Sequence, residues 1–420
     1  MVVNMKKYFT EQTQFFGDSK PSELLKEYGS PLYVYNEAIL RERCREMATL
    51  VSSPDFKSNY SAKANSNLEI LKIARDEGLH ADAMSPGEIH LLLTAGFKPE
   101  ELLFVANNVS AEEMKFAIDK GVLVSCDSLS QLRQLGSLNP GGRVAVRFNP
   151  GVGAGHHEKV VTAGKNTKFG VNIELISEVK EILKEFNLRL VGINQHIGSL
   201  FMEATPYLES VKQLLGIADQ FAELEFVDMG GGFGIPYHKQ DGQERLDLKE
   251  TGRMLTQVID EWMQRKGRNI CIKMEPGRYV VAESSVLLGT VHSIKQNGAK
   301  KYIGTDIGFN VLARPVMYDS HHDMEFYRDD KIIKSDETAP ATVVGNICET
   351  GDILARDREL PQITEGDLIG IMDAGAYGYS MASNYNSRMR PAEVMIGLDG
   401  KPRLIRRRDT IEDLVRGFEI

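Results

Sequence analysis

Four short stretches of this chain hold residues suited to chemistry on an amine. Lys63 closes the run Tyr60-Ser61-Ala62-Lys63. A lysine amine shielded from water is a nucleophile toward carbonyl carbon and forms Schiff bases. His196-Ile197-Gly198-Ser199, Gly230-Gly231-Gly232-Phe233-Gly234 and Glu275-Pro276-Gly277-Arg278 each close another apolar run. The glycine cluster is no dinucleotide fingerprint, because Ile235 stands where the last glycine would be. Nor is there a P-loop: Gly164-Lys165 is followed by Asn166, and Lys159 takes the first glycine's place. A triple glycine can still offer backbone N–H groups to a phosphate. Taken singly, each stretch has a plainer use: a surface lysine, a core histidine, a tight turn.

Their shared position gives them weight. From about residue 56 to 278, short β-type runs alternate with helix-type segments. The runs are Ser58–Lys63, Leu79–Met84, Leu102–Asn107, Val122–Asp127, Arg143–Phe148, Leu190–His196, Glu225–Gly230 and Asn269–Glu275. In the first intervening segment Leu68, Leu71 and Ala74, with Ile70 and Ile73, form one apolar stripe; Glu174–Phe186 and Tyr207–Glu223 read the same way. Helix starts are signalled by Pro86 with Glu88 and by a capping box at Ser110 and Glu113. Eight strand–helix units predict a closed (β/α)8 TIM-like barrel, with an open parallel sheet as the alternative. Barrel chemistry sits at the C-terminal strand ends, where Lys63, His196, the glycine cluster and Glu275 all fall. In such a mouth Lys63 becomes a candidate to bind pyridoxal 5'-phosphate, with Glu275 facing the pyridine nitrogen and His196 stacked on the ring. A protonated ring nitrogen favours carbanion chemistry such as decarboxylation.

After residue 280 the pattern turns to short β-type runs at Val286–Ile294, Lys301–Asp306, Ala341–Gly345, Asp367–Asp373 and Val394–Gly397. The run Pro31-Leu32-Tyr33-Val34-Tyr35 precedes the barrel and is expected to pair into this β domain. The predicted division is residues 36–282 for the barrel and residues 1–35 with 283–420 for the β domain.

Composition bounds the function. Of 420 residues, 50 are Lys or Arg and 59 are Asp or Glu, a net charge of −9. That is a poor footprint for nucleic acid, and acidic neighbours dilute the Arg406-Arg407-Arg408 run. No apolar run reaches the roughly 18–20 residues of a membrane span, and the first 20 residues lack a signal-peptide core. The cytoplasm is therefore expected. Four scattered cysteines and no Cys-x-x-Cys pair argue against zinc and disulfide frameworks. The pairs His156-His157 and His321-His322 lack a third ligand at metal spacing, so no metal is expected.

At this point the residues resemble a known family. From Pro31 to Arg407 the chain is similar to the diaminopimelate decarboxylases, fold-type III pyridoxal phosphate enzymes related to ornithine and arginine decarboxylases and to alanine racemase. Besides the stretches above, the resemblance rests on Ala313-Arg314-Pro315 through Tyr318, Cys348-Glu349-Thr350-Gly351-Asp352, Asp373-Ala374-Gly375-Ala376-Tyr377-Gly378 and Ser383-Asn384-Tyr385-Asn386. It implies an alanine-racemase-like barrel plus an all-β domain. It implies that Lys63 carries the cofactor as a Schiff base. Ser199, the turn Gly230, Gly231 and Gly232, and the loop of Glu275, Gly277 and Arg278 would hold its phosphate and ring. Arg278, Arg314 and Tyr318 would bind substrate carboxylate, Cys348 would donate a proton, Glu349 would bind the distal ammonium, and Tyr377 would touch cofactor and substrate. It also implies a homodimer with two shared sites.

The implied reaction converts meso-2,6-diaminopimelate to L-lysine and CO2, the last step of lysine biosynthesis. The residue types suit it: arginine matches a carboxylate bidentately, and a thiol is a competent acid near neutral pH. The alternatives are the same chemistry on ornithine, arginine, carboxynorspermidine or D-lysine, a racemase, and an inactive binding homologue. Arg314 with Glu349 argues against another diamino acid, Glu275 against the racemase, and Lys63 with Cys348 against the inactive homologue. Asn310-Val311-Leu312, Asn194-Gln195 and Met389-Arg390-Pro391 depart from the family's usual pattern.

Overall fold

A computed structural model describes residues 8–105, 107–149, 151 and 168–419. The chain divides into two compact units. One holds residues 41–235 and 245–280; the other holds the residues up to Leu40, Pro236–Glu244 and those from Val281 onward.

The first unit is a closed ring of eight parallel strands: Phe56–Ser61, His80–Ala83, Leu102–Phe104, Leu123–Cys126, Arg143–Asn149, Arg189–Asn194, Phe226–Asp228 and Cys271–Met274. Each predicted run contributes one strand. The ring closes where Cys271–Met274 lies beside Phe56–Ser61, with Ile272 opposite Phe56 and Met274 opposite Ser58. A two-residue strand, Val171–Asn172, adds to the edge of Arg143–Asn149.

Local chemistry fixes the helix starts. Asn67 accepts the Glu69 N–H at 2.9 Å, which opens Leu68–Asp76. That helix then buries Ile70, Leu71, Ile73 and Ala74. Ser110 and Glu113 exchange reciprocal bonds at 2.9 and 3.2 Å, satisfying two N–H groups that would otherwise be orphaned at the start of Ala111–Asp119. Ser85 and Glu88 do the same work for Pro86–Thr94, except that Glu88 reaches the N–H of Met84.

The second unit is built on a mainly antiparallel sheet. The strand Leu32–Asn36 lies antiparallel to Ser285–Asn297 and parallel to Ala392–Ile396, as its apolar run predicts. It is buried on both faces, so it reads as continuous rather than alternating. Leu32 and Val34 pack with Phe15, Leu24, Val286, Leu288, Met372 and Val394. On the other face Tyr33 donates to the carbonyl of Val311, and Tyr35 donates to Glu393 at 2.7 Å. Strands at Met324–Arg328, Ile353–Leu360 and Pro402–Arg406 were not evident from the residues. Charges interrupt their apolar pattern, and sheet partners distant in sequence supply the pairing. A short helix, Ile411–Val415, lies near the end. Among the described residues no helix is long and apolar enough to cross a membrane.

Candidate active site

Barrel geometry gathers one set of residues at the C-terminal strand ends. The first strand ends at Ser61, and Lys63 sits half-buried in the single turn Ala62–Ala64 that follows. Ser61 Oγ donates to Asp82 Oδ2 at 2.6 Å, and its N–H donates to the carbonyl of Pro276 at 3.1 Å. The loop after the eighth strand is thus tied to the first. Lys63 lies within electrostatic reach of Asp82, Glu88 and His196.

The glycine turn follows the seventh strand. A Cβ on Gly230 would stand 2.1 Å from the carbonyl oxygen of Gln195, and one on Gly231 would stand 2.0 Å from that of Glu275. Gly230 and Gly232 also hold φ of +75° and +109°. Three loops therefore meet backbone to backbone here, which only glycine permits. Two of the N–H groups are already engaged: Gly230 donates to Asp228 Oδ1 at 2.9 Å, and Gly231 donates to His196 Nδ1 at 3.3 Å. Arg278 donates to Ser199 Oγ through Nη2 at 2.9 Å and through Nε at 3.3 Å, which joins the loops after the sixth and eighth strands.

Four carboxylates lie buried in this unit: Asp82, Asp127, Asp228 and Glu275. Burial, and then the nearby negative charge of Glu275, hold Asp82 and Asp228 well above the usual carboxylate range. Arg147, also buried, lies 3.7 Å from Asp127. Burial lowers the pKa of His196 to about 4, so its ring is neutral near pH 7. Nδ1 accepts from Gly231, so Nε2 carries the proton. Glu275 Oε2 stands 3.8 Å from that Nδ1, beyond a hydrogen bond.

Among the described residues, no hydrogen-bond partner reaches the buried Oε1 of Glu275. An orphaned buried acceptor costs roughly 1–3 kcal/mol, more when charged, so it calls for a donor. The N–H of a protonated pyridine ring is such a donor. With the amine of Lys63, the neutral ring of His196 and the Ser199–Arg278 pair in the same unit, the residues fit pyridoxal 5'-phosphate.

The second unit carries the other predicted residues. Arg314 opens the short helix Arg314–Tyr318 and is buried, whereas Tyr318 on the same helix is half-buried. Cys348 and Glu349 are exposed on the loop between Asn346 and Asp352. Asp352 shapes that loop by accepting the N–H groups of Phe309 and Ile347, both at 2.7 Å. Two residues of the Ser383-Asn384-Tyr385-Asn386 stretch, given no role by the sequence, brace it further. Asn386 Oδ1 accepts the Cys348 N–H at 2.9 Å, and the Tyr385 hydroxyl donates to Glu349 Oε1 at 2.6 Å. Tyr377 is half-buried at φ +57° in the loop after Asp373. Lys239 anchors that loop, 2.7 Å from Asp373 and 3.2 Å from Glu283. Burial pushes the Asp373 carboxyl up to about 6.

The metal expectation needs one correction. The fold does bring His238 and Asp241 to His321, with ligating atoms within 4.8 Å of one another. Both ring nitrogens of His321 are engaged, Nε2 with Asp323 at 2.9 Å and Nδ1 with Arg358 at 3.1 Å. A guanidinium on that nitrogen opposes a cation. His156, His157, Lys159 and Gly164–Asn166 lie outside the described residues.

Asp82, Asp228 and Arg147 were missed in the sequence. The available signal was a charge in the interior of a barrel strand, as in Ala81-Asp82-Ala83.

Comparison with known proteins fits this geometry. Residues 37–282 match the family described as pyridoxal-dependent decarboxylase, pyridoxal binding domain. A diaminopimelate decarboxylase of Methanothermobacter thermautotrophicus is 43% identical over 418 residues, covering 96% of this chain and 95% of that protein. One from Escherichia coli strain K12 is 35% identical over 403 residues, covering 93% and 94%. The crystal structure of the Helicobacter pylori enzyme with L-lysine superposes with a TM-score of 0.85 at 32% identity, covering 94% of this chain and 98% of that one.

Proposed function

The chain belongs to the diaminopimelate decarboxylases, and from that membership we propose how its own residues carry the reaction. The protein is a pyridoxal phosphate-dependent carboxy-lyase that converts meso-2,6-diaminopimelate to L-lysine and CO2, the last step of lysine biosynthesis. The observation that carries the reading is the buried Oε1 of Glu275, which no described residue hydrogen-bonds, in the barrel that holds Lys63.

The division of labour follows the two predicted domains: residues 36–282 hold the cofactor, and residues 1–35 with 283–420 face the substrate. Lys63 attaches the cofactor through its amine. Glu275 would hold the proton of the ring nitrogen, and neutral His196 would help hold the ring without competing for that charge. Ser199, Gly232, Gly277 and Arg278 hold the phosphate side. Gly230 and Gly231 act mainly by letting three loops converge. The chemistry the cofactor supplies when bound is an electron sink for the pair left at the α-carbon as CO2 departs. Cys348 gives the proton that replaces CO2. Arg278, Arg314 and Tyr318 bind carboxylate, Glu349 binds the distal ammonium, and Tyr377 orients cofactor and substrate.

We place the working sites in a homodimer, where the partner subunit's Cys348 and the partner subunit's Glu349 complete each barrel. Their exposure in the single chain supports this, because a proton donor for a carbanion must be shielded from water. Four unpaired cysteines suit a reducing cytoplasm.

CO2 release and product identity test the reading, with meso- and LL-diaminopimelate, ornithine, arginine and D-lysine offered separately. Lysine from the meso isomer alone is the expected result. Turnover of another diamino acid in its place would overturn the substrate.

A further inference from the structure

Arg314 is a charged side chain with only 2% of its surface exposed, so its environment dictates where its guanidinium points. Three of the described residues contribute to that environment. The Tyr237 ring lies under the guanidinium, 4.7 Å from centroid to Cζ. Ser320 Oγ accepts from Nη2 at 3.3 Å. His322 Nε2 stands 2.9 Å from Nη1. His322 is fully buried, and its ring meets that of Tyr237 edge-on at 5.3 Å and 75°.

The hydrogen bonds fix the histidine's tautomer. A guanidinium only donates, so Nε2 must be the bare nitrogen. Nδ1 then carries the proton and donates to the carbonyl of Met372 at 2.8 Å. Met372 immediately precedes Asp373, which Lys239 anchors at 2.7 Å. A relay thus runs from a fixed backbone carbonyl through a neutral imidazole to one edge of the guanidinium. The imidazole adds an acceptor without adding a negative charge, so the positive charge of Arg314 is held in place and left uncompensated by this neighbour. A carboxylate at the same position would neutralise it.

We infer that His322, with Ser320, is a positioning residue that aims Arg314 at the carboxylate of the substrate's non-reacting end and so sets selectivity for a diamino acid over a diamine. The inference rests on the carboxylate-binding role proposed for Arg314. His322 itself touches neither substrate nor cofactor in this scheme.

The holoenzyme tests it with two competing ligands: L-lysine, which carries a carboxylate, and cadaverine, which has the same amines without one. Wild-type turnover of meso-diaminopimelate is measured first, and its absence would sink the functional reading rather than this inference. His322→Phe keeps an aromatic ring and removes the acceptor. It should weaken L-lysine inhibition and raise KM by about tenfold or more, the usual scale for a hydrogen bond to a charged group. Cadaverine inhibition should change less than about twofold, and kcat and the cofactor's visible absorbance should hold. His322→Gln restores a neutral acceptor and should recover most of the L-lysine affinity. Ser320→Ala, at the half-buried edge, should show the same selectivity at about threefold and serves if the Phe variant does not fold. Equal weakening toward both ligands, or unchanged L-lysine affinity in the folded variants, overturns the inference.

Discussion

The backbone N–H of Gly231 donates to Nδ1 of His196 at 3.3 Å. That bond requires an unprotonated nitrogen, and burial agrees with it by lowering the pKa of His196 to about 4 from an ordinary 6.5. The consequence for stability has a definite sign. Between pH 6.5 and 4 the unfolded chain protonates this histidine and the folded chain does not, so its contribution is fully present above pH 6.5 and is lost as pH falls toward 4. At pH 5 the loss is at most about 2 kcal/mol. Asp82 and Asp228, raised by burial, act with the opposite sign, so the effect must be read against a variant. In urea unfolding of the cofactor-free protein, wild type should lose about that much relative to His196→Asn on going from pH 7.5 to 5. A constant difference between the two would show that His196 titrates normally.

Asn386 and the loop it braces give a second expectation. Asn386 sits at φ +56°, where glycine and asparagine are tolerated and most other residues are strained. Asn386→Gly keeps the backbone and removes only the acceptor for Cys348 N–H. Turnover should fall about tenfold, a loss of the order of one hydrogen bond in positioning, with the cofactor spectrum unchanged. Thermal stability should move by less than about 0.5 kcal/mol, because the site is exposed. Asn386→Asp keeps an acceptor and should retain more activity than the glycine variant. Wild-type turnover in Asn386→Gly would mean the loop is set by Asp352 and Tyr385 without it.

Two inactive chains test the shared site. Lys63→Ala should lose the cofactor's visible absorbance and all turnover. Cys348→Ala should keep the absorbance and lose most of the turnover. Coexpressed in equal amounts, they should recover about a quarter of wild-type activity. Random pairing makes half of the dimers mixed, and each mixed dimer has one site with both residues intact. No recovery at all would show that each site is built from one chain.

The sequence alone determined the eight strand–helix units, because buried parallel strands write themselves as apolar runs of short range, and several intervening helices announce their starts through a local cap such as Ser110 with Glu113; that the ring closes, with Ile272 opposite Phe56, was decided by the tertiary structure. It also determined which residue types stand at the strand ends, since Lys63, His196 and Glu275 follow their strands directly. What tertiary structure decided was mutual: which buried atom faces which. Nothing near Gly231 in the chain says that its Cβ would strike the carbonyl of Glu275, or that its N–H is taken up by His196. Nothing near Arg314 names Tyr237 beneath its guanidinium, and His322, eight residues on, reads as one half of a histidine pair until the Met372 carbonyl fixes its tautomer. Segment 236–244 belongs with the second unit although both its neighbours in sequence lie in the barrel. Periodicity and capping are local properties that the order of residues encodes directly. Burial, protonation and the direction of a hydrogen bond depend on groups that only folding brings within a few ångströms.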